Sequence, residues 1–190
     1  MKEQIRILGF DDGPFKFGDQ KALVVGILMR LPSYIEAVLS TEVKVDGLDA
    51  TERLVQCIKN SHYSEQPKAV ILDGIALGGF NIVDLEELWK ETGIPVITVT
   101  RDPPNLKAME SALKKHFADW EERFKLIQKN ELFEVSTGHQ PIHVSTWGIS
   151  REDAQHLIRS NIVRGALPEC VRVAHLTARG ITTGESRGHA

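Results

Sequence analysis

The sequence predicts an α/β protein built on a mixed β-sheet with helices on both faces and a helical C-terminal part. Three strand-like stretches come first, at residues 4–10, 21–31 and 34–45. Their connections are too short for a parallel crossover, so these stretches are expected to pair as an antiparallel meander. Helical and strand-like segments then alternate along the chain, which is typical of parallel strands joined by helices.

The middle of the chain supplies the elements that join this meander. Over residues 49–60 the apolar period changes to 3.6, which predicts a helix. Residues 68–73 read Lys-Ala-Val-Ile-Leu-Asp and are apolar without alternation, as expected for a central strand covered on both faces. A second helix is predicted over residues 81–92, with Gly93 as its C-cap, followed by a strand over residues 94–100.

The rest of the chain is mostly helical. A charged helical stretch over residues 105–130, divided near residues 117–119, is expected to precede two short strands and two more helices. The strands fall at residues 132–135 and 142–146, the helices at residues 150–164 and 168–178, and a loosely held tail at residues 180–190. No internal repeat or linker divides the chain, which predicts a single domain over residues 1–190.

An antiparallel meander followed by two helix-linked parallel strands is the ribonuclease H-like arrangement, in which the strands take the order 3-2-1-4-5. The alternative is a flavodoxin-like doubly wound sheet, which needs a helix directly after the first strand. Residues 15–31 show no helical pattern, and this favours the first arrangement.

The composition is that of an ordinary folded protein. Of the 190 residues, 42% are hydrophobic and the formal net charge is -3, which excludes a disordered chain and gives no polyanion-binding signature. The longest apolar run, residues 22–31, is interrupted by Gly26 and Arg30 and is too short to span a bilayer. We therefore expect a cytoplasmic protein with no membrane partner, in which Cys57 and Cys170 are buried, reduced thiols.

Carboxylates follow two strands that the predicted sheet places side by side. Asp11 ends the first strand and Asp73 the fourth, and these strands are parallel neighbours in the order 3-2-1-4-5. Asp49, at the start of a helix, is a candidate third ligand, and Mg²⁺ or Mn²⁺ is the natural cation for such a group. Each acid also has a structural interpretation: Asp11 in an Asx turn, Asp73 in a turn with Gly74, and Asp49 as a helix N-cap.

A pair of glycines lies shortly after Asp73 in the chain. Gly78 and Gly79 precede Asn81, where the second helix is predicted to begin, so a substrate phosphate is expected to bind the free amides there. The alternative is that Asn81 caps the helix and the glycines only permit a sharp turn.

Basic and imidazole side chains near the C-terminus give weaker indications. Arg172 is the candidate phosphate contact among the late arginines, because guanidinium groups bind phosphate with two hydrogen bonds, although a solvated helix surface is the alternative. His139, His143 and His175 lack a metal-ligand spacing and are expected to be surface or core residues.

Several segments resemble a largely archaeal family of uncharacterised proteins, domain of unknown function family 99, which is related to endonuclease V. The resemblance covers nearly the whole chain. It rests on Gly9-Phe10-Asp11-Asp12-Gly13-Pro14-Phe15, Val45-Asp46-Gly47-Leu48-Asp49-Ala50-Thr51, Leu72-Asp73-Gly74-Ile75, Gly79-Phe80-Asn81, Leu167-Pro168-Glu169, Arg172-Val173-Ala174-His175 and Gly184-Glu185-Ser186-Arg187-Gly188.

The more distant similarity to endonuclease V implies a ribonuclease H-like domain in which Asp11, Asp49 and Asp73 bind Mg²⁺ and DNA or RNA is cleaved near a deaminated base. Two features of that enzyme have no match. Its two histidines align near Gly79 and near residues 147–148, and its aromatic, proline-containing wedge is missing from residues 40–46.

Two functions of different classes follow. The first is a metal-dependent phosphodiesterase or nuclease with nucleic acid as its partner. The second is a nucleic-acid or nucleotide-binding module derived from such an enzyme, which the unmatched histidines favour. The sequence leaves the oligomeric state open.

Overall fold

The computed structural model describes residues 4–16 and 18–187. The elements follow in this order: β1 (Arg6–Asp12), β2 (Lys21–Arg30), β3 (Tyr34–Lys44), α1 (Ala50–Lys59), β4 (Ala69–Asp73), β5 (Ala76–Leu77), β6 (Asn81–Ile82), α2 (Leu85–Thr92), β7 (Val96–Thr100), α3 (Leu106–His116), α4 (Trp120–Gln128), β8 (Phe133–Val135), β9 (Ile142–Trp147), α5 (Arg151–Ser160) and α6 (Glu169–Thr183).

Seven strands form one mixed sheet in the order β3-β2-β1-β4-β7-β9-β8, and β5 with β6 forms a separate hairpin. β1 is antiparallel to β2 and parallel to β4, which in turn is parallel to β7. The predicted order 3-2-1-4-5 is therefore confirmed, with β7 as the fifth strand. β9 and β8 extend the sheet beyond β7 as antiparallel strands, which the sequence did not place.

Alternate residues of the central strands pack against different helices, because successive side chains of a strand point to opposite faces. Ile7 and Ile71 belong to a buried cluster that also contains residues of α5 and α6. Leu8 and Leu72 belong to a second cluster, with residues of α1 and α2. Odd-numbered positions of β1 and β4 therefore face α6, and this parity decides where the acids at the strand ends point.

The second predicted helix begins later than the sequence suggested. Residues 76–82 form the β5–β6 hairpin, and α2 starts at Leu85, where Asp84 accepts hydrogen bonds from the amides of Glu86 and Glu87. The apolar residues of α2 recur with the helical period of 3.6, so only the predicted start of the helix is wrong. Gly93 ends α2 in the left-handed conformation (φ 69°), as predicted.

The C-terminal part is helical as expected, with different boundaries. The stretch over residues 105–130 is two helices, α3 and α4, with the break at the predicted position. Helix α6 continues to Thr183, so the start of the predicted loose tail is helical, and residues 188–190 of that tail lie outside the described residues. In the described part of the chain, no helix has the length and apolar character needed to cross a membrane.

Candidate metal centre

Asp11 and Asp73 lie side by side at the carboxyl edge of the sheet. The parallel register pairs Phe10 with Leu72, so the next residues of β1 and β4, the two aspartates, are neighbours. Both occupy odd positions and therefore face α6. Asp11 is buried, with 5% of its surface exposed, and Asp73 is partly buried. The sequence-based expectation that strand order brings these two acids together agrees with this geometry.

Helix α6 adds a histidine to the pair. Nδ1 of His175 lies 2.7 Å from Oδ2 of Asp11. One ligand atom from each of Asp11, Asp73 and His175 falls within 4.8 Å of the others, which is the spacing of groups that share one metal ion. Ala174 and Ala178 of the same helix are buried against the sheet, and this packing directs the neighbouring His175 toward the acids.

Burial and repulsion between carboxylates dominate the electrostatics of the cluster. Burial raises the pKa of Asp73 to about 7, and the carboxylate of Asp11 adds to that rise. Burial and the same carboxylate raise the pKa of Asp12 to about 6. The hydrogen bond with Asp11 raises the pKa of His175, since it stabilises the imidazolium. A divalent cation would remove the repulsion between the acids, so these residues fit a metal ion chemically.

A cavity lies near the end of β7, on the face of the sheet opposite the one that Asp11 and Asp73 face. Its volume is about 240 Å³, and its wall includes Ile75, which follows Asp73 closely in the chain. Thr98 and Ser145, paired across β7 and β9, are buried there and provide hydroxyl groups. Leu106, Met109 and Ile127 of α3 and α4 supply apolar surface. The cavity therefore combines an apolar enclosure with a few hydrogen-bonding groups, as small-molecule and base pockets do.

Comparison with known proteins assigns the chain to a family. The family described as endonuclease dU matches residues 3–182. The chain belongs to the endonuclease dU family. An uncharacterised relative from Methanosarcina mazei, named UPF0215 protein, is 46% identical over 193 aligned positions, covering 100% of this chain and 97% of the relative.

Solved structures of a similar archaeal protein and of endonuclease V share the fold. A protein of unknown function from Archaeoglobus fulgidus is 36% identical, with a TM-score of 0.85 over 94% of this chain and 98% of that protein. Endonuclease V from Ciona intestinalis, in complex with DNA containing an inosine, is 16% identical, with a TM-score of 0.58 over 92% of this chain and 84% of that one. The resemblance to an archaeal family related to endonuclease V and the ribonuclease H-like fold are thus confirmed.

Asp49 lies outside the candidate metal-ligand group, which consists of Asp11, Asp73 and His175. Its Oδ1 accepts hydrogen bonds from the amide of Lys44 at 3.0 Å and from Nδ2 of Asn81 at 2.7 Å. Burial raises its pKa, but those bonds and one from Arg53 outweigh the effect, so the net pKa is lowered. The carboxylate of Asp49 is therefore bonded within a loop, and metal binding by Asp49 stays a prediction that these bonds do not support. Among the described residues, His175 is the side chain that lies beside Asp11 and Asp73.

Asn81 caps a helix, but a different one from the helix predicted. Its Oδ1 accepts a hydrogen bond from the amide of Ala50 at 2.9 Å, the first residue of α1, and its Nδ2 donates to the carbonyl of Lys44 at 2.9 Å and to Asp49. Asp49 occupies the N-cap position of α1 without a side-chain capping bond. The buried amide of Asn81 thus fastens the β5–β6 hairpin to the loop before α1. The predicted helix start at Asn81 is wrong, and phosphate binding by Asn81 stays a prediction.

Gly78 and Gly79 form the turn of that hairpin. Both have positive φ, 61° and 88°, a conformation that favours glycine. The amide of Gly78 donates to Oδ2 of Asp12 at 3.0 Å, so the turn is held directly against the acid that follows Asp11. The Gly78 amide is therefore already bonded. Phosphate binding at this turn stays a prediction.

Arg172 is bound within its own helix. Its Nε and Nη2 donate to the two carboxylate oxygens of Glu169 at 2.7 and 2.6 Å. A two-bond arrangement of this kind occupies the planar edge of the guanidinium that would bind a phosphate. Substrate binding by Arg172 remains a prediction that this pairing does not support.

Replacing Asn81 with alanine is expected to destabilise the protein by about 2–3 kcal/mol, because the change leaves the buried amide of Ala50 without a partner and removes two further bonds. Urea denaturation measures the difference. Asn60→Ala is the matched control, since Asn60 is exposed and its backbone amide donates the hydrogen bonds to Gln56 and Ile58. Equal stability of the two variants would contradict the role assigned to Asn81.

Proposed function

We propose that the protein is a metal-dependent endonuclease that cleaves DNA or RNA near a deaminated base, with Asp11, Asp73 and His175 holding Mg²⁺ or Mn²⁺. The observation that carries the proposal is the convergence of two carboxylates and an imidazole within 4.8 Å at the carboxyl edge of the sheet. Ligands in open α/β sheets bind outside the carboxyl ends of the strands.

Each of the three side chains has a definite task in this scheme. Asp11 and Asp73 supply hard oxygen ligands, and Asp11 orients the His175 ring through the 2.7 Å contact at Nδ1. A divalent ion bound there would lower the pKa of a water molecule and neutralise charge on the leaving oxygen of a phosphodiester. Asp12 accepts from the Gly78 amide and so keeps the glycine turn at the edge of the cluster.

The cavity that Thr98 and Ser145 line supports the choice of a base-directed substrate. Enzymes that recognise a single altered base hold it outside the stack in a pocket of apolar walls and hydrogen-bonding groups. The hydroxyls of Thr98 and Ser145 are suited to the edge of an extruded base, and Ile75 links the cavity to the strand end that carries Asp73. The endonuclease V of Ciona intestinalis was solved with inosine-containing DNA, and the family description names dU.

The binding-module alternative loses its main support. It was favoured because the two histidines of endonuclease V have no counterpart at Gly79 or at residues 147–148. Helix α6 brings His175 to the acids from a different part of the chain. An imidazole is therefore available at the cluster, and we retain catalysis as the proposed function.

A nuclease screen tests the proposal. Wild-type protein, Asp73→Asn and the control Glu134→Gln are incubated with Mg²⁺ or Mn²⁺ and labelled single- and double-stranded DNA and RNA that contain deoxyuridine, uridine, inosine or normal bases. Glu134 is exposed on β8, so its variant removes a charge without touching the site. We expect cleavage near the deaminated base by wild type and control alone. Absence of any Asp73-dependent product on every substrate would contradict the proposal.

Metal affinity is expected to rise with pH. Burial raises the pKa of Asp73 to about 7, so near neutrality a metal competes with a proton for this carboxyl. The bond to Asp11 raises the pKa of His175, which adds to the competition by protons. Affinity should increase up to about tenfold per pH unit for each proton released, from about pH 6 to about pH 8. Calorimetric titration with Mn²⁺ at several pH values measures this, and a pH-independent affinity would contradict the assigned ligands.

A further inference from the structure

Two arginines approach the metal-ligand group from different elements. Arg101 directly follows β7, and the parallel register pairs Asp73 of β4 with Val99 of β7. Arg101 is thus placed just beyond the end of the strand next to Asp73. Its charge acts on that carboxyl: burial and Asp11 raise the pKa of Asp73, whereas Arg101 opposes the rise.

The second arginine comes from the helix above the sheet. Arg179 lies one turn after His175 on α6, and residues four apart on a helix share a face. The same turn of α6 packs over the chain that leaves β1, since a Cβ at Gly13 would meet the carbonyl oxygen of Ala178 at 3.2 Å. Arg179 is exposed and forms no ion pair with any described residue, in contrast to Arg172 on the same helix.

The charge pattern at this edge is an acidic centre with arginines on two sides. Asp11, Asp12 and Asp73 lie together, with Arg101 beyond β7 and Arg179 on α6. A metal ion would offset the acids, and the two guanidinium groups add positive charge beside the place where an anion would meet the metal. Guanidinium groups are well suited to phosphate because they present parallel N–H donors to its oxygens.

We propose that Arg101 and Arg179 form a clamp that binds the phosphate groups of a nucleic-acid strand on the two sides of the metal centre. The inference rests on the proposed function for its choice of a nucleic-acid strand as ligand. It adds two binding residues that position the strand and do not themselves hold the metal.

Fluorescence anisotropy tests the clamp. A fluorescein-labelled, deoxyuridine-containing single-stranded DNA is titrated with wild type, Arg101→Gln, Arg179→Gln and Arg159→Gln in EDTA, over a series of salt concentrations. Arg159 is the matched control, an exposed arginine on α5 whose Nε donates to the carbonyl of Ser136. Each clamp variant should bind about tenfold more weakly, and its slope of log affinity against log salt should be less steep by about 0.7. The control should retain both values.

A lysine variant and thermal melting show whether a loss of DNA binding comes from the lost positive charge or from a loss of folded structure. Arg101→Lys keeps the positive charge and should keep the salt slope, and thermal melting of all variants shows whether each is folded. Clamp variants that melt like wild type and lose no more affinity or slope than Arg159→Gln would overturn the proposal, as would a salt slope in Arg101→Lys reduced as far as in Arg101→Gln.

Cleavage assays on the same variants keep this inference apart from the proposed function. If wild type cuts none of the substrates while the clamp variants still lose affinity, the clamp stands and the nuclease proposal fails. If wild type cuts and the clamp variants bind DNA as tightly as wild type, the clamp fails and the nuclease proposal stands.

Discussion

Asp73→Asn is expected to abolish Mg²⁺ and Mn²⁺ binding and, at the same time, to stabilise the metal-free protein at about pH 8 by about 2 kcal/mol. The first effect follows from the loss of a carboxylate ligand beside Asp11 and His175. The second follows because burial and Asp11 raise the pKa of Asp73 to about 7, so its ionised form is unfavourable in the folded state. A neutral side chain of the same shape removes that repulsion.

The raised pKa of Asp73 determines whether the stability of the metal-free protein rises or falls with pH. The folded-state pKa of Asp73, about 7, lies above the unfolded value near 3.9. Between these values the folded protein binds more protons, so the stability of metal-free wild type falls as pH rises through this window and stays lower above it. His175 acts in the same direction, because its pKa is raised by Asp11. Melting curves between about pH 5 and about pH 8 should show a smaller decline for Asp73→Asn.

Calorimetry and melting curves with and without Mn²⁺ measure both effects. The exposed Asp102 provides the control, since Asp102→Asn removes a carboxylate outside the metal-ligand group and should leave metal affinity unchanged. If Asp73→Asn retained wild-type metal affinity, Asp73 could not be a ligand. If Asp73→Asn destabilised the metal-free protein at about pH 8, the inference that Asp11 and ionised Asp73 repel each other would be wrong.

Gly9→Ala is expected to destabilise the protein by about 3 kcal/mol or more and to weaken metal binding with it. Gly9 lies on β1 under helix α6, where an added Cβ would stand 2.6–2.8 Å from the Cys170 side chain and its backbone carbon. Backbone atoms cannot yield by rotating a side chain, so α6 must move away from the sheet. That movement carries His175 away from Asp11, and the packing of one glycine is thereby linked to the metal-ligand group.

Gly180→Ala on the same helix is the matched control. A Cβ at Gly180 would meet nothing closer than Ser186 Oγ at 3.8 Å, and the residue lies within α6. Alanine should therefore stabilise the protein by about 0.5–1 kcal/mol through its higher helix propensity. Urea denaturation of both variants gives the comparison. Destabilisation of similar size in both, or none in Gly9→Ala, would show that α6 is not seated on β1 as described.

The sequence predicted the strand order and the two acids because both depend on local or nearest-neighbour rules. Short connections require the antiparallel meander, and the helix-linked strands then place β4 beside β1. Asp11 and Asp73 end these two strands, so their proximity follows from topology alone.

His175 was missed because its position depends on how α6 packs across the sheet. The chain distance from Asp11 is large, and no ligand spacing near His175 indicates a metal. The available signal was its place in the Arg172-Val173-Ala174-His175 segment of the family resemblance. The surroundings of Asp49 depend in the same way on the conformation of a loop, which places its carboxylate against the amide of Lys44.

The helix start was placed too early because the β5–β6 hairpin is very short. Two residues per strand give no alternation to recognise, and the glycine turn at residues 78–79 is compatible with either a hairpin or a helix entry. The buried Asn81 identifies the hairpin only through its bonds to Ala50 and Lys44, which are distant in the chain.

Anomalous diffraction from crystals of the protein grown with Mn²⁺ tests the central claim most directly. A single strong peak is expected between the carboxylates of Asp11 and Asp73 and the imidazole of His175, and no peak in crystals of Asp73→Asn. A manganese peak elsewhere in wild type, with none among these three side chains, would contradict the account.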